Sequence, residues 1–477
     1  MARLVIVSNR VAVPDEGSVR AGGLEVAVKA ALKRMEGTWF GWSGDISPPS
    51  DISPPSSVKP RTIKRDNVTY VVSDLTEEDH KEYYNGFANR VLWPILHYQL
   101  ERAEFSHRDL GGYLRVNDSF ARQLHELIKP DDLIWVHDYH LIPLAKALRE
   151  LGHKNRIGFF LHIPCPPPEI ITALPHHEQL LPALCDYDLV GFQTGDDAFN
   201  FSRYLTHECG LSSRDFNFPL GERSMRIDVF PVGIETAAFA RLAQRSESSN
   251  FMRQVRESLS GRVQIIGVDR LDYTKGLHLR MHAFERFLAT QPQWRGKVTY
   301  LQISPKSRSE IREYAEMAQQ IEAAAGHING TYGEVNWTPI RYVNRAYGRA
   351  MLAGLYRASR AALVTPLRDG MNLVAKEYIA AQDANDPGVL ILSRFAGAAR
   401  ECRAALLVNP YDPDSVAAAI AEALSMPLDE RRSRHQATFQ ALLLDDIQTW
   451  ADRFLSVLGR PRGEVSDLDR MATLELY

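Results

Sequence analysis

The chain has 477 residues, 45% of them hydrophobic and 24% charged, the balance of a soluble globular protein and more chain than one hydrophobic core usually organises, so two domains are expected. With 56 Lys and Arg against 59 Asp and Glu the formal net charge is −3, which argues against a protein that binds nucleic acid or a membrane through its overall field. An anionic ligand would have to be held by local cations and backbone dipoles. No stretch approaches the ~20 apolar residues needed to cross a bilayer. The opening MARLVIVSNR lacks a secretory pattern. Cys165, Cys185, Cys209 and Cys402 form no CxxC pair, so a cytoplasmic chain with reduced thiols is expected.

From the start of the chain, the segments 3–8, 69–73, 133–137, 157–162, 189–193 and 227–232 are short apolar runs without polar alternation. Continuous hydrophobicity of this kind predicts parallel strands covered on both faces. Helix-period apolar residues fill 24–35 and 119–128. The tandem hexapeptide DISPPS at 45–50 and 51–56 is too rich in Pro and Ser for a helix or a central strand and predicts a surface loop. The polar, Ser-rich stretch 241–260 is taken as a linker. After it the pattern repeats, with strands expected near 263–268, 298–303, 361–365, 389–392 and 405–408 and helices over 276–290 and 415–424. Asp412 is placed to cap the latter, with Pro413 at its first position. Two successive α/β sets predict two doubly wound domains, 1–245 and 246–450, with a helical tail over 451–477 expected to return to the first.

The loop after the strand at 263–268 reads Asp269-Arg270-Leu271-Asp272-Tyr273-Thr274-Lys275-Gly276. Two cations beyond a strand's carboxyl end stand where open α/β sheets bind ligands, and a guanidinium with an ammonium suits a diphosphate. Arg270 and Lys275 could equally pair with Asp269 and Asp272 in a solvated turn. A second segment, 365–378, again leaves a strand and opens a helix. There Gly370 permits close approach, the N–H groups of Asn372, Leu373 and Val374 can meet phosphate or sugar oxygens, and Asp369 can accept from sugar hydroxyls. Glu377 could accept from two ribose hydroxyls. His137, Asp138 and His140 invite a metal, but adjacent strand-end residues point in different directions and no further ligand is evident. His176-His177 reads as surface.

RLDYTKG and LRDGMNLVAKEY resemble the donor-site motifs of the trehalose-6-phosphate synthase family, retaining glycosyltransferases of family 20. The first half is similar to the same family through VSNR, AGGL, WFGWSG, YYNGFANRVLWP, GYLRVN, WVHDYHL, RIGFFLHIPCPPPE and CDYDLVGFQT, and SRFAGAA and LLVNPYD follow, over roughly residues 1 to 455. The resemblance implies an α/β GT-B fold, two Rossmann-like doubly wound domains facing a central cleft. It implies transfer of glucose from a nucleoside diphosphate glucose, UDP-glucose first among them, to glucose 6-phosphate, with UDP as the second product.

On the donor side it implies Gly22 and Gly23 on a loop near the donor and Arg270 and Lys275 on the diphosphate. Asp369 with Gly370, Met371, Asn372 and Leu373 would hold the transferred glucose, Leu373, Val374, Ala375, Lys376 and Glu377 the phosphate and ribose, and Tyr347 the base. His162 would contact the donor glucose. On the acceptor side it implies Arg10 and Arg308, helped by Tyr84, on the 6-phosphate, with Trp93 and Asp138 on the sugar; from residue type alone Tyr84 and Trp93 could also be core aromatics. Asp138, His162, Arg270, Lys275 and Asp369 form the expected catalytic set. No metal or resident cofactor is expected, nor a nucleic-acid or membrane partner, and the family often forms homodimers or homotetramers. A pseudo-glycosyltransferase joining cyclitols and a non-catalytic sugar-phosphate sensor are the alternative readings.

Overall fold

The computed structural model describes residues 3–13, 28, 31–32, 36–47, 59–305 and 312–460. The chain divides into two units at Pro231/Val232, and from Trp450 it belongs again to the first.

The first unit is built on a nine-stranded sheet. Its strands are β1 (Leu4–Arg10), β2 (Gly37–Ile46), β3 (Arg61–Arg65), β4 (Val68–Leu75), β5 (Leu133–His137), β6 (Arg156–Phe160), β7 (Leu189–Phe192), β8 (Asn217–Leu220) and β9 (Arg223–Val229). Their order is β3-β4-β2-β1-β5-β6-β7-β9-β8. The two edge strands, β3 and β8, pair antiparallel and the rest run parallel. β1 is buried along its length except at Arg10, as a central strand with helices on both faces must be. β2, GTWFGWSGDI, was not expected as a strand because glycines and serine interrupt its apolar run. The helix Ile447–Leu458 contributes Phe454, which stacks on Trp135 of β5 with ring centroids 4.4 Å apart. Arg156 of β6 donates to the Leu458 carbonyl at 3.0 Å.

The second unit carries β10 (Val263–Val268), β11 (Val298–Ile303), β12 (Ile340–Val343), β13 (Ala361–Val364), β14 (Val389–Ser393) and β15 (Leu406–Val408). They form one sheet in the order β12-β11-β10-β13-β14-β15, every pair parallel. This is the doubly wound order, in which strands are added first on one side of β10 and then, from β13, on the other, and ligands of such sheets bind beyond the carboxyl ends of those two strands. Ile265, Phe284, Phe287, Tyr300, Leu363 and Ile391 lie in its core. Asp412 caps the helix Pro413–Ser425 as expected, its Oδ1 accepting from Ser415 N–H at 3.1 Å.

The expected linker 241–260 is helical instead. Helices Thr236–Ser246 and Asn250–Leu259 meet there, and Ser249 supplies a cap, its Oγ accepting from Met252 N–H at 3.2 Å. Serine favours helix starts as strongly as loops, and tertiary packing decides between them. The division at Pro231/Val232 therefore lies ahead of the expected 245/246. Most of the DISPPS repeat and of 24–35, and the tail beyond 460, lie outside the described residues. Among the described residues no helix is long and apolar enough to cross a membrane.

Candidate active site

In the second unit, the loop leaving β10 is shaped by its own short-range bonds. Asp272 accepts from the N–H and hydroxyl of Thr274 at 3.0 and 2.9 Å, which tightens the turn Tyr273–Lys275. Gly276 then adopts φ +65°, and a Cβ there would lie 2.7 Å from the Thr365 carbonyl, so only glycine lets this loop close on the exit from β13. Leu367 N–H donates to the Thr274 carbonyl at 2.8 Å and joins the two loops. The consequence is a contact between residues far apart in sequence: Lys275 Nζ reaches Asp369 Oδ2 at 2.6 Å, with Asn372 Nδ2 donating to the same oxygen at 3.0 Å. Only 12% and 15% of the Lys275 and Asp369 side chains are exposed, so the pair acts in a partly desolvated setting where charges count for more than at the surface. Arg270 stands exposed at the end of β10.

A fully buried arginine that sequence reasoning overlooked supports this arrangement. Arg280 donates to Asp269 Oδ2 (2.6 Å), Thr365 Oγ1 (2.9 Å), Gln302 Oε1 (3.2 Å) and the Lys275 carbonyl (3.1 Å). It thereby ties the ends of β10, β11 and β13 to the loop that carries Lys275. The signal was available in the sequence. Arg280 lies three residues after Leu277 and four before Phe284, a lone charge on the apolar face of helix Leu277–Thr290.

Asn372 has φ +93° and opens helix Leu373–Ala381, its Oδ1 accepting from Ala375 N–H at 3.1 Å. The N–H groups of Leu373 and Val374 belong to the first turn, where the helix offers no acceptor of its own. Met371 is buried and its carbonyl accepts from Ala398 N–H at 2.8 Å. Lys376 departs from the expectation. Its side chain is fully buried, donating to the Val232 carbonyl at 2.8 Å and paired with Glu401 at 2.5 Å, because the helical period turns it inward. Ala375 is likewise buried with its N–H capped, so neither residue offers a side chain to a ligand.

Glu377 is half-buried, and burial pushes its carboxyl up to about 7, with Arg349 opposing the rise. An acid in that range switches between donor and acceptor near neutral pH. If Glu377 binds ribose hydroxyls as a carboxylate, the donor KM should fall as pH rises from about 6 to 8, and Glu377→Gln should flatten that dependence. The raised pKa, from 4.5, means the folded state holds its proton longer than the unfolded chain, so this group's contribution to stability is lost as pH rises through 7. Glu377→Gln should therefore melt higher than wild type at pH 8 and close to it at pH 5. Tyr347, half-buried, lies under the Arg345 guanidinium at 4.8 Å and 6.0 Å from the ring of Phe251.

In the first unit, Arg10 ends β1 with its guanidinium over Trp42 at 5.8 Å. Tyr84 lies 5.3 Å from the same indole and stacks on His80 and His140 at 5.5 and 6.0 Å. It sits on His80–Leu92, wound as a π-helix, a rare conformation that is frequent at functional sites. Trp93 is 5% exposed and packs on His97 and Tyr139 at 4.1 and 5.8 Å, the surroundings of a core aromatic.

Asp138 follows β5 with φ +76° and ψ 165°, a conformation that costs a non-glycine residue about 1–3 kcal/mol and gathers at active sites. Its Oδ1 accepts from His162 N–H at 3.3 Å. His137 and His140 point apart, the first toward His162 and the second onto Tyr84 and Tyr139. Among the described residues no group of three or more His, Cys, Asp or Glu side chains is placed to hold a metal ion. Gly22, Gly23 and Arg308 lie outside the described residues.

A parallel sheet of this order, with cations on the loop after its first strand and a helix N-terminus after its fourth, defines a protein of the doubly wound α/β class and is an arrangement with which that class binds phosphate groups. Residues 3–460 match the model of glycosyltransferase family 20, and the chain belongs to that family. It is 53% identical to a trehalose-6-phosphate synthase of Sinorhizobium fredii over 96% of this chain and 98% of that protein. Among solved structures it resembles an alpha,alpha-trehalose-phosphate synthase (UDP-forming) from Burkholderia xenovorans in complex with glucose-6-phosphate, with TM-score 0.92, 45% identity and coverage of 96% and 100% of the two chains. An Escherichia coli structure bound with UDP-2-fluoro glucose matches with TM-score 0.90, 46% identity and coverage of 96% and 99%. The fold is GT-B.

Proposed function

We propose that this chain is a retaining hexosyltransferase that moves glucose from UDP-glucose to glucose 6-phosphate, giving alpha,alpha-trehalose 6-phosphate and UDP. The observation that carries the reading is the Lys275–Asp369 pair at 2.6 Å, which brings the two loops of the second unit's switch point into one anion- and hydroxyl-binding site. Relatives that cover nearly the whole chain and are named for this activity support it.

In this reading Arg270 and Lys275 neutralise the diphosphate as charge builds on the leaving group, Asp369 accepts from the transferred glucose, Glu377 takes the ribose and Tyr347 lines the base. Arg10, Tyr84 and Arg308 hold the 6-phosphate, and Asp138 binds the acceptor sugar. The C1–O bond to the β-phosphate breaks and a C1–O bond to the acceptor's anomeric hydroxyl forms on the same face. The hydroxyl's proton passes to the departing phosphate oxygen, and the α configuration is kept. The carboxylates of Asp138 and Asp369 are already engaged, with His162 N–H and with Lys275 and Asn372, which favours hydroxyl binding over nucleophilic attack. Catalysis then rests on positioning and electrostatic stabilisation. Two cations supply the charge that a divalent metal supplies elsewhere, so no metal is required. A cytoplasmic homodimer or homotetramer completes the proposal.

The test is UDP release from UDP-glucose, with and without glucose 6-phosphate and in the presence of EDTA, for wild type, Arg270→Ala and Arg308→Ala. Release that requires the acceptor, ignores EDTA and collapses in both variants is expected. No acceptor-dependent release from UDP-, GDP- or ADP-glucose would overturn the reading.

A further inference from the structure

Two imidazoles, one of them fully buried, meet at the carboxyl ends of neighbouring strands in the first unit. His137, the last residue of β5, is fully buried, and its Nδ1 lies 3.1 Å from Nε2 of His162, just beyond β6. The next residue, Asp138, accepts from the His162 backbone N–H, so adjacent residues hold His162 by main chain and side chain together. The left-handed φ of Asp138 accompanies that double hold, for an ordinary extended residue would face the opposite side of the sheet from His137. Phe160 and Trp450 close around the His162 ring at 4.7 and 6.2 Å, leaving it half-buried.

A hydrogen bond between two neutral imidazoles carries one proton, and its position fixes both tautomers. Either His137 Nδ1–H donates and His162 keeps its other proton on Nδ1, or His162 Nε2–H donates and its Nδ1 is bare. The far side of His137 decides between them. Its Nε2 is buried with no hydrogen-bond partner among the described residues, and so are the indole N–H groups of Trp135 and Trp450. The Trp135 and Trp450 rings lie 4.7 and 6.3 Å from the His137 ring. Neighbours that are only donors suit a bare acceptor nitrogen, directly or through one water, whereas an N–H there would be a third buried donor without an acceptor. Burial also keeps both rings uncharged, drawing His162 down to about 3 and His137 well below its usual range.

We infer that His137 is a positioning residue that fixes His162 as the Nδ1–H tautomer, so that His162 offers the transferred sugar a hydrogen-bond donor. The inference rests on the transferase reading for the identity of that sugar, but the tautomer itself does not.

The experiment uses the full chain labelled with 15N-histidine, with the two rings assigned from His137→Asn and His162→Gln. In the ligand-free wild type at pH 7.5 the ring-nitrogen signals of His162 are expected to show a protonated Nδ1 and a bare Nε2, and those of His137 the same. A bare Nδ1 on His162, or averaged signals, overturns the inference even if transfer is intact. Absence of transfer by wild type with the tautomer as stated overturns the function instead. Kinetics supply a second arm. His137→Asn keeps a donor near the Nδ1 position and should recover kcat to within about threefold, whereas His137→Leu should lose about tenfold or more, the scale of one hydrogen bond. His137→Asp offers only an acceptor. It should invert the tautomer and bring a new ionisation of His162 into the kcat profile near neutral pH. Equal losses in folded Asn and Leu variants would reduce His137 to a packing residue. If Asp does not fold, the Asn–Leu comparison and the wild-type spectrum decide.

Discussion

Replacing Lys275 with alanine is expected to lower kcat by ~10²–10³, the range found when one preorganised donor to a developing anion is removed. Two effects act together. In the proposed reading the leaving diphosphate loses a cation whose place is fixed by the Asp272 turn and Gly276, and Asp369 loses its charged hydrogen-bond donor while that from Asn372 stays. KM for the donor should rise less than kcat falls, because the cation matters most as negative charge accumulates. Lys275→Arg should recover little, since a planar guanidinium cannot repeat a point contact of 2.6 Å in a site this enclosed. Steady-state kinetics with UDP as the measured product, alongside a melting curve, check this. A kcat within threefold of wild type would remove Lys275 from the site.

Gly397→Ala should have the largest effect on the scaffold. A Cβ at position 397 would stand 1.9 Å from the Gly370 carbonyl oxygen and 2.9 Å from its carbon, and both atoms are backbone, so no side-chain rotation relieves the clash. The same stretch is fixed by Gly397 N–H to the Asp369 carbonyl at 3.1 Å and by Ala398 N–H to the Met371 carbonyl at 2.8 Å. The 369–372 loop must move or the 396–398 strand-to-turn segment must open. A loss of about 3 kcal/mol is expected, at the upper end of overpacking, with donor affinity reduced in whatever protein remains folded. Chemical denaturation and UDP binding measured on the same preparation test both halves. An unchanged midpoint would show that the backbone yields more easily than its bonds imply.

Much of this was legible locally. Continuous apolar runs marked β5, β7, β10, β11 and β14 because a strand covered on both faces tolerates no polar alternation. Asp412 and Pro413 marked their helix start because capping is a property of neighbouring residues. β2 escaped because its glycines break the pattern, and the 241–260 stretch misled because serine serves both cap and loop. Lys376, expected with its neighbours on the phosphate and ribose, has its side chain turned inward as a buried strut, and Trp93 packs as a core aromatic. Residue type states what a side chain can do; which way it faces depends on what packs beside it.

By itself the sequence determined the two α/β sets and the loops where phosphate-binding groups would stand, since both follow from periodicity and from contacts a few residues long. The pairs that complete the sites form across long separations, and tertiary structure alone decided them. Lys275 meets Asp369 and Arg280 reaches Thr365 only because the non-consecutive strands β10 and β13 lie side by side, and His137 meets His162 only because β5 pairs with β6 in parallel register. Strand order is set by the packing of whole faces, a quantity summed over the fold, and no local stretch of sequence carries it.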